Sequence, residues 1–242
     1  EIYTVDRRQR QMCIRDRYCN EKGINKREYY KRRVYALVYT IHHYTGCRTK
    51  ELLNLKWRHI TINPNDNAFD RKTNRIVHIP ADNSKTGRSR DIIAPIGQQI
   101  ERLIRWYREM GLEVDQKSDR YVFPRLTDTT KNENIPTSDV AWTKRLRNVL
   151  ASAERDGVID LNGRNISNYC ARHHHITEAI QRGVDIYDIA LNCGTSLNYI
   201  EKTYSHITTL MRSRDITKGL GRQATYDPRK DEEYLKATRM GE

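Results

Sequence analysis

The sequence predicts a mainly α-helical protein with one small three-stranded antiparallel sheet, an α+β arrangement. Three observations carry this. Apolar residues recur at helical spacing in several separate stretches, three short β-rich runs lie close together, and glycines fall between the periodic stretches. Tyr30, Val34, Leu37, Val38 and Ile41 place a first helix over 25–44, stopped by Gly46. A second helix begins near Thr49, with Leu52, Leu53 and Leu55 inside and Trp57 near its end. HITIN (59–63), RIVHIP (75–80) and RDIIAPI (90–96) read as strands. The turn-rich ADNSKTGRS joins the last two as a hairpin, and 63–74 reads as polar loop. Ile96, Ile100, Leu103, Ile104 and Tyr107 form an amphipathic helix ending before Gly111. Ser138 is the N-cap of a helix carrying Leu146, Val149 and Leu150. Further helices fall at 167–182, 185–193 and 196–207, separated by Gly183 and Gly194.

The chain has 242 residues, enough for one large domain or two small ones. Lys and Arg number 44 against 31 Asp and Glu, a net charge of +13. That surplus points to a polyanionic partner, above all nucleic acid. No apolar run approaches the roughly 18 residues of a membrane span, so no membrane is expected. The five cysteines, Cys13, Cys19, Cys47, Cys170 and Cys193, are odd in number and have no C-x-x-C pair. A disulfide framework and a zinc ribbon are both unsupported, and a reducing, cytoplasmic setting is expected.

Residues 1–17 have no helical or strand period and read as a non-native assembly scar or a disordered basic arm. Residues 18–24 then read as a linker remnant, and 211–242 as a polar C-terminal tail.

If the polyanion is a phosphodiester to be cut, the chemistry needs an in-line nucleophile, cations on the non-bridging oxygens and an acid for the leaving oxygen. No acidic cluster or H-E-x-x-H run suggests a metal. Paired arginines do the same work, since the planar guanidinium matches phosphate. In TGCRTKELLNLKW (45–57), Arg48 stands just after a glycine break at a helix start. Lys85 sits in the hairpin turn of NSKTGRSRDIIAPI. YCARHHHITEAIQRGVDIYDIALNCGTSLNYIEKTYSHI (169–207) carries Arg172 and, 32 positions on, Tyr204.

Together these segments resemble the catalytic domain of the tyrosine recombinase (phage integrase) family, from about Lys26 to Ile207. The stretch 45–57 matches the family's TG-x-R-x-x-E-L-x-x-L-x-W box, with Arg48 and Glu51 in place. Lys85 matches the hairpin lysine. Arg172, His173 and Thr177 match the H-x-x-R-H-x-x-x-T box, and Tyr204 and His206 match the terminal Y-x-H. Two positions depart: Tyr169 replaces the first histidine of the second box, and Thr195 replaces the later His or Trp.

The resemblance implies a catalytic domain over 25–210 that breaks and rejoins double-stranded DNA as a site-specific recombinase of a phage or other mobile element. Tyr204 is then the nucleophile of a 3′-phosphotyrosyl link. Arg48 and Arg172 hold the phosphate, and Lys85 protonates the 5′ leaving oxygen. Glu51, Tyr169, His173, Thr195 and His206 support them. A tetramer on DNA and an N-terminal helical domain missing from this chain are also expected. The family needs no cofactor or metal, and His173, His174 and His175 point roughly 100° apart on a helix, so they do not share one ion easily. Two other classes stay open: a type IB topoisomerase-like enzyme with the same Arg/Lys/Tyr chemistry, and a DNA-binding module that has lost catalysis.

Overall fold

The computed structural model describes residues 23–126 and 134–211. The expected arm at 1–17 and the tail beyond 211 lie outside these described residues, as does the side chain of His206.

Helix α1 spans Lys26–Thr45. Asn25 caps its start, its side chain accepting the Glu28 N–H at 2.8 Å. Gly46 ends it at φ +59°, and its N–H returns to the His42 carbonyl. Val34, Leu37, Val38 and Ile41 all turn into the core, as their spacing predicts.

The second helix is shorter than the sequence suggests. Helix α2 covers only Thr49–Leu53, and Trp57 opens a 3₁₀ turn, Trp57–His59. The backbone leaves the helix because its donors find partners elsewhere. The Trp57 N–H bonds the Arg120 carbonyl at 3.0 Å, and Val122 N–H bonds the Leu55 carbonyl at 2.8 Å. Leu55 and Trp57 are still buried, as expected.

Strands β1 (Ile60–Thr61), β2 (Arg75–Ile79) and β3 (Arg90–Ala94) form the expected antiparallel sheet in that order. Val77 pairs with Ile92 and Ile79 with Arg90. The period-two pattern puts Val77, Ile79, Ile92 and Ala94 on one fully buried face. The expected polar loop at 63–74 contains a short helix α3, Ala68–Thr73. Asn67 starts it, its side chain accepting from the Phe69 and Asp70 N–H groups. It buries no residue, so no apolar period announced it.

Helix α4 (Gly97–Glu109) buries Ile100, Leu103, Ile104 and Tyr107. Helix α5 (Asp139–Arg155) begins at the predicted cap: Ser138 Oγ accepts the Ala141 N–H at 3.2 Å. Helices α6 (Cys170–Gln181), α7 (Ile186–Cys193) and α8 (Leu197–Met211) complete the described chain.

Two apolar clusters hold these elements. The larger joins the sheet with α1, α2, α4 and α5, around Ile41, Leu52, Ile92 and Leu103. Each such side chain contributes roughly 1.5–3 kcal/mol by leaving water. The smaller joins α6, α7 and α8 through Ile176, Ile180, Ile189, Cys193, Ile200 and Tyr204. Helix α1 packs on α6 and so brings the two clusters together.

Candidate active site

The site forms where the turn after α1, the end of α7 and the start of β3 meet. Its first part is the Thr45–Arg48 turn. Gly46 lies in the left-handed region, and a Cβ there would stand 2.3 Å from His175 Cδ2. Only glycine fits both demands. His42 packs beneath, its Nε2 donating to the Cys47 carbonyl at 3.0 Å. Burial pushes both His42 and His175 down to about 4, so both rings are neutral at neutral pH.

Arg172 is 1% exposed. Its Nη1 donates to the Gly46 and Cys193 carbonyls, both at 2.6 Å. Its Nε is buried without a hydrogen-bond partner. Among the described residues no carboxylate pairs with it. A buried cation held only by neutral carbonyls is poised to attract an anion.

Arg48 reaches the same carbonyl rim. Its Nη2 donates to the Gly194 carbonyl at 2.6 Å and its Nη1 to Glu51 Oε1 at 2.8 Å. The Arg48 N–H also donates to Glu51 Oε2, at 2.8 Å. Arg48 and Arg172 therefore bind adjacent peptide carbonyls, those of Gly194 and Cys193, and share one site. Glu51, 1% exposed, is an anchor within it. Burial alone would raise its carboxyl. Hydrogen bonds from Arg90 and from the Arg48 backbone outweigh that and hold it below the ordinary range.

Tyr204 enters from α8. Its ring is buried, and its hydroxyl lies 2.5 Å from His173 Nδ1. Burial, then the neighbouring Tyr199 and Tyr169, raise the Tyr204 hydroxyl well above its ordinary value. Burial, then Arg172, lower the His173 ring. The phenol therefore keeps its proton at neutral pH, beside an imidazole free to accept it. Tyr169 stands edge-on to His173 at 4.7 Å and is 39% exposed. Thr195 follows Gly194, its N–H on the Ala190 carbonyl, so it sits at the rim.

Lys85 is exposed on the turn between β2 and β3 and makes no hydrogen bond or ion pair with another described residue. It is not brought into contact with the arginines. Its turn is nonetheless tethered to them: Asn83 Nδ2 donates to the Glu51 carbonyl at 2.9 Å. His206 lies on α8, its side chain outside the described residues.

Sequence reasoning missed two of these residues. Arg90 donates to both Glu51 oxygens, and its guanidinium lies against Gly194, where a Cβ would meet its Cζ at 2.5 Å. Asn83 is the other. Arg90 opens a strand and Asn83 sits in a turn, positions where charge and polarity are ordinary.

A sequence model of the phage integrase family matches residues 20–210, and the chain belongs to that family. Among solved structures it is similar to the XerH site-specific recombinase in its post-cleavage complex with palindromic difH substrate. That match has 17% identity and a TM-score of 0.55, over 88% of this chain and 51% of that one. It is also similar to the Tn1549 transposon integrase in complex with transposon right end DNA. There the identity is 13% and the TM-score 0.56, over 90% of this chain and 65% of that one. The chain thus spans about half the length of that XerH chain and just under two thirds of that integrase chain, itself residues 82–397 of its protein. These likenesses show the fold. A search of the curated proteins returns no match.

Proposed function

We propose that residues 25–210 form the catalytic domain of a tyrosine-type site-specific recombinase acting on double-stranded DNA. The observation that carries this is Arg172: a buried guanidinium with an unpartnered Nε, beside Arg48 and within the same fold region as a buried tyrosine. The similar structures are themselves of recombinases bound to DNA.

In this reading Tyr204 Oη attacks the scissile phosphorus. The P–O3′ bond stays and a phosphotyrosyl bond forms, while the P–O5′ bond breaks. His173 Nδ1 is placed to take the phenolic proton. Lys85, moved in with its turn, supplies a proton to the 5′ oxygen. Arg48 and Arg172 exchange their peptide carbonyls for the two non-bridging oxygens, meeting the transition-state charge with fixed donors. The covalent link conserves the bond energy, so a 5′ hydroxyl rejoins the strand without a nucleotide. Glu51 and Arg90 set the angle of Arg48, and Tyr169 and Thr195 line the rim. Exchange between two duplexes requires four such sites, so the active assembly is a tetramer, and the net charge of +13 serves to hold the duplex. A phage or other mobile element is the source this chemistry suits.

A suicide DNA substrate, nicked just downstream of the cleavage point so that the short fragment bearing the freed 5′ hydroxyl diffuses away, tests the proposal. The chain should become covalently attached to DNA, and Tyr204→Phe should abolish the adduct while leaving DNA binding intact. An adduct of unchanged yield in that variant would remove Tyr204 from the mechanism.

A further inference from the structure

We propose that His43, His174 and Glu178 form a binding site for a divalent transition-metal ion of the zinc class, clamping α1 to α6. The inference is independent of the recombinase reading, and none of the three residues is among the groups assigned to phosphate or nucleophile above.

His174 and Glu178 are four residues apart on α6, so they share one face of that helix. His43 reaches them from the last turn of α1. His43 Nε2 lies 3.1 Å from Glu178 Oε2, and His174 Nε2 lies 3.4 Å from Glu178 Oε1. The two rings are 4.6 Å apart between centroids, with Nδ1 atoms separated by 3.1 Å. One donor atom from each of the three residues falls within 4.8 Å of the others.

An ion among these atoms would be held by lone pairs, one from each ring and one from the carboxylate, which are the donor types a zinc-class ion takes.

The dimensions suit such an ion. Bonds of about 2.0–2.1 Å to a ring nitrogen and a Glu178 oxygen 3.1–3.4 Å apart give nitrogen–metal–oxygen angles of roughly 95–115°, bracketing the tetrahedral value. The Ala171 backbone lies within hydrogen-bonding reach of the His43 ring. A carbonyl accepting the second ring N–H is a common support for a metal-bound histidine. Side-chain exposures of 19%, 33% and 36% for His43, His174 and Glu178 leave the fourth position open to water. Two imidazoles and one carboxylate favour zinc or a neighbouring ion over magnesium or calcium. Only His174 of the three consecutive histidines takes part.

The test uses the untagged full chain, stripped with chelator, then titrated with zinc by calorimetry and with cobalt by visible absorption. One equivalent should bind, with the absorption of four-coordinate cobalt and a rise in melting temperature. Glu178→Gln keeps the side chain's shape and should weaken binding about tenfold or more, and His43→Ala should do the same. His78→Ala, at a different histidine–carboxylate pair, should leave binding unchanged. Circular dichroism of each variant shows whether it is folded. No binding by the folded wild-type chain, or unaltered affinity in Glu178→Gln, would overturn the site.

Discussion

Arg90 donates to both oxygens of Glu51, Nη1 to Oε1 at 3.1 Å and Nη2 to Oε2 at 2.7 Å. Glu51 holds Arg48 at the same time, so one buried carboxylate serves two arginines from different parts of the chain. Arg90 thereby ties the start of β3 to the start of α2.

Glu51→Ala should lower stability by roughly 3–5 kcal/mol, because it leaves Arg90 and Arg48 without their counter-ion in a buried setting. The urea midpoint of unfolding measures it. Exposed Asp119, which pairs with Arg58 on the surface, gives the comparison: Asp119→Ala should cost less than about 1 kcal/mol. Similar costs for the two would show that Glu51 is not the anchor described.

Stability should fall with acid in two windows. His42 and His175 titrate at about 4 when folded, pushed down by burial, against about 6.5 when unfolded. Unfolding therefore takes up protons below 6.5. The stability of keeping these rings neutral is complete above that pH and is lost as pH falls through 4. Its size is on the order of 3 kcal/mol per ring. Glu51, with its folded carboxyl depressed, contributes stability that is complete above about 4.3 and is lost at still lower pH. Unfolding midpoints from pH 8 to 3 should slope in both windows. His42→Gln should cut the upper slope by about half, because His175 still titrates there, and leave the lower. An identical upper slope in that variant would contradict the neutral buried ring.

Gly46→Ala should destabilise the chain by more than about 2 kcal/mol, combining left-handed strain with a collision at His175. Gly163 also has a positive φ, +71°, but open space around it. Gly163→Ala should cost only about 1–2 kcal/mol. The difference between the two, read from thermal unfolding, isolates the steric part.

Arg172→Lys preserves charge but loses the planar fork. Adduct formation on the suicide substrate should slow by about 10²–10³, the usual cost of one transition-state donor. Duplex affinity at moderate salt should change far less. Equal losses in binding and cleavage would mean that Arg172 acts in ground-state grip alone.

Much of this was legible in the sequence, for reasons visible in particular residues. Arg48, Glu51, Arg172 and Tyr204 stand in runs whose apolar spacing fixes helix and turn around them. Ser138 read as a cap because its hydroxyl and the apolar period after it agree. Helix α3 was not legible, because it buries no residue and so leaves no apolar period, and Asn67 is its only cap signal. Arg90 and Asn83 were hidden because their partner, Glu51, is 39 and 32 residues away in sequence. His43 and His174 are 131 apart, a distance no spacing rule spans. The hairpin turn that carries Lys85 was legible, but a turn tells nothing of where its side chain ends.

Gly194 is the left-handed cap of α7 and stands three residues before α8. Its carbonyl accepts from Arg48, and its bare α-carbon is covered by Arg90. The base of the helix that carries Tyr204 is thus stitched through one peptide to both arginines of the Glu51 cluster. A shift of α8 at that end either breaks the Arg48 bond or drags the guanidinium with it. In the reaction proposed above, advance of the tyrosine and the grip on phosphate are therefore geared to each other at a single joint, and a side chain at 194 would jam it.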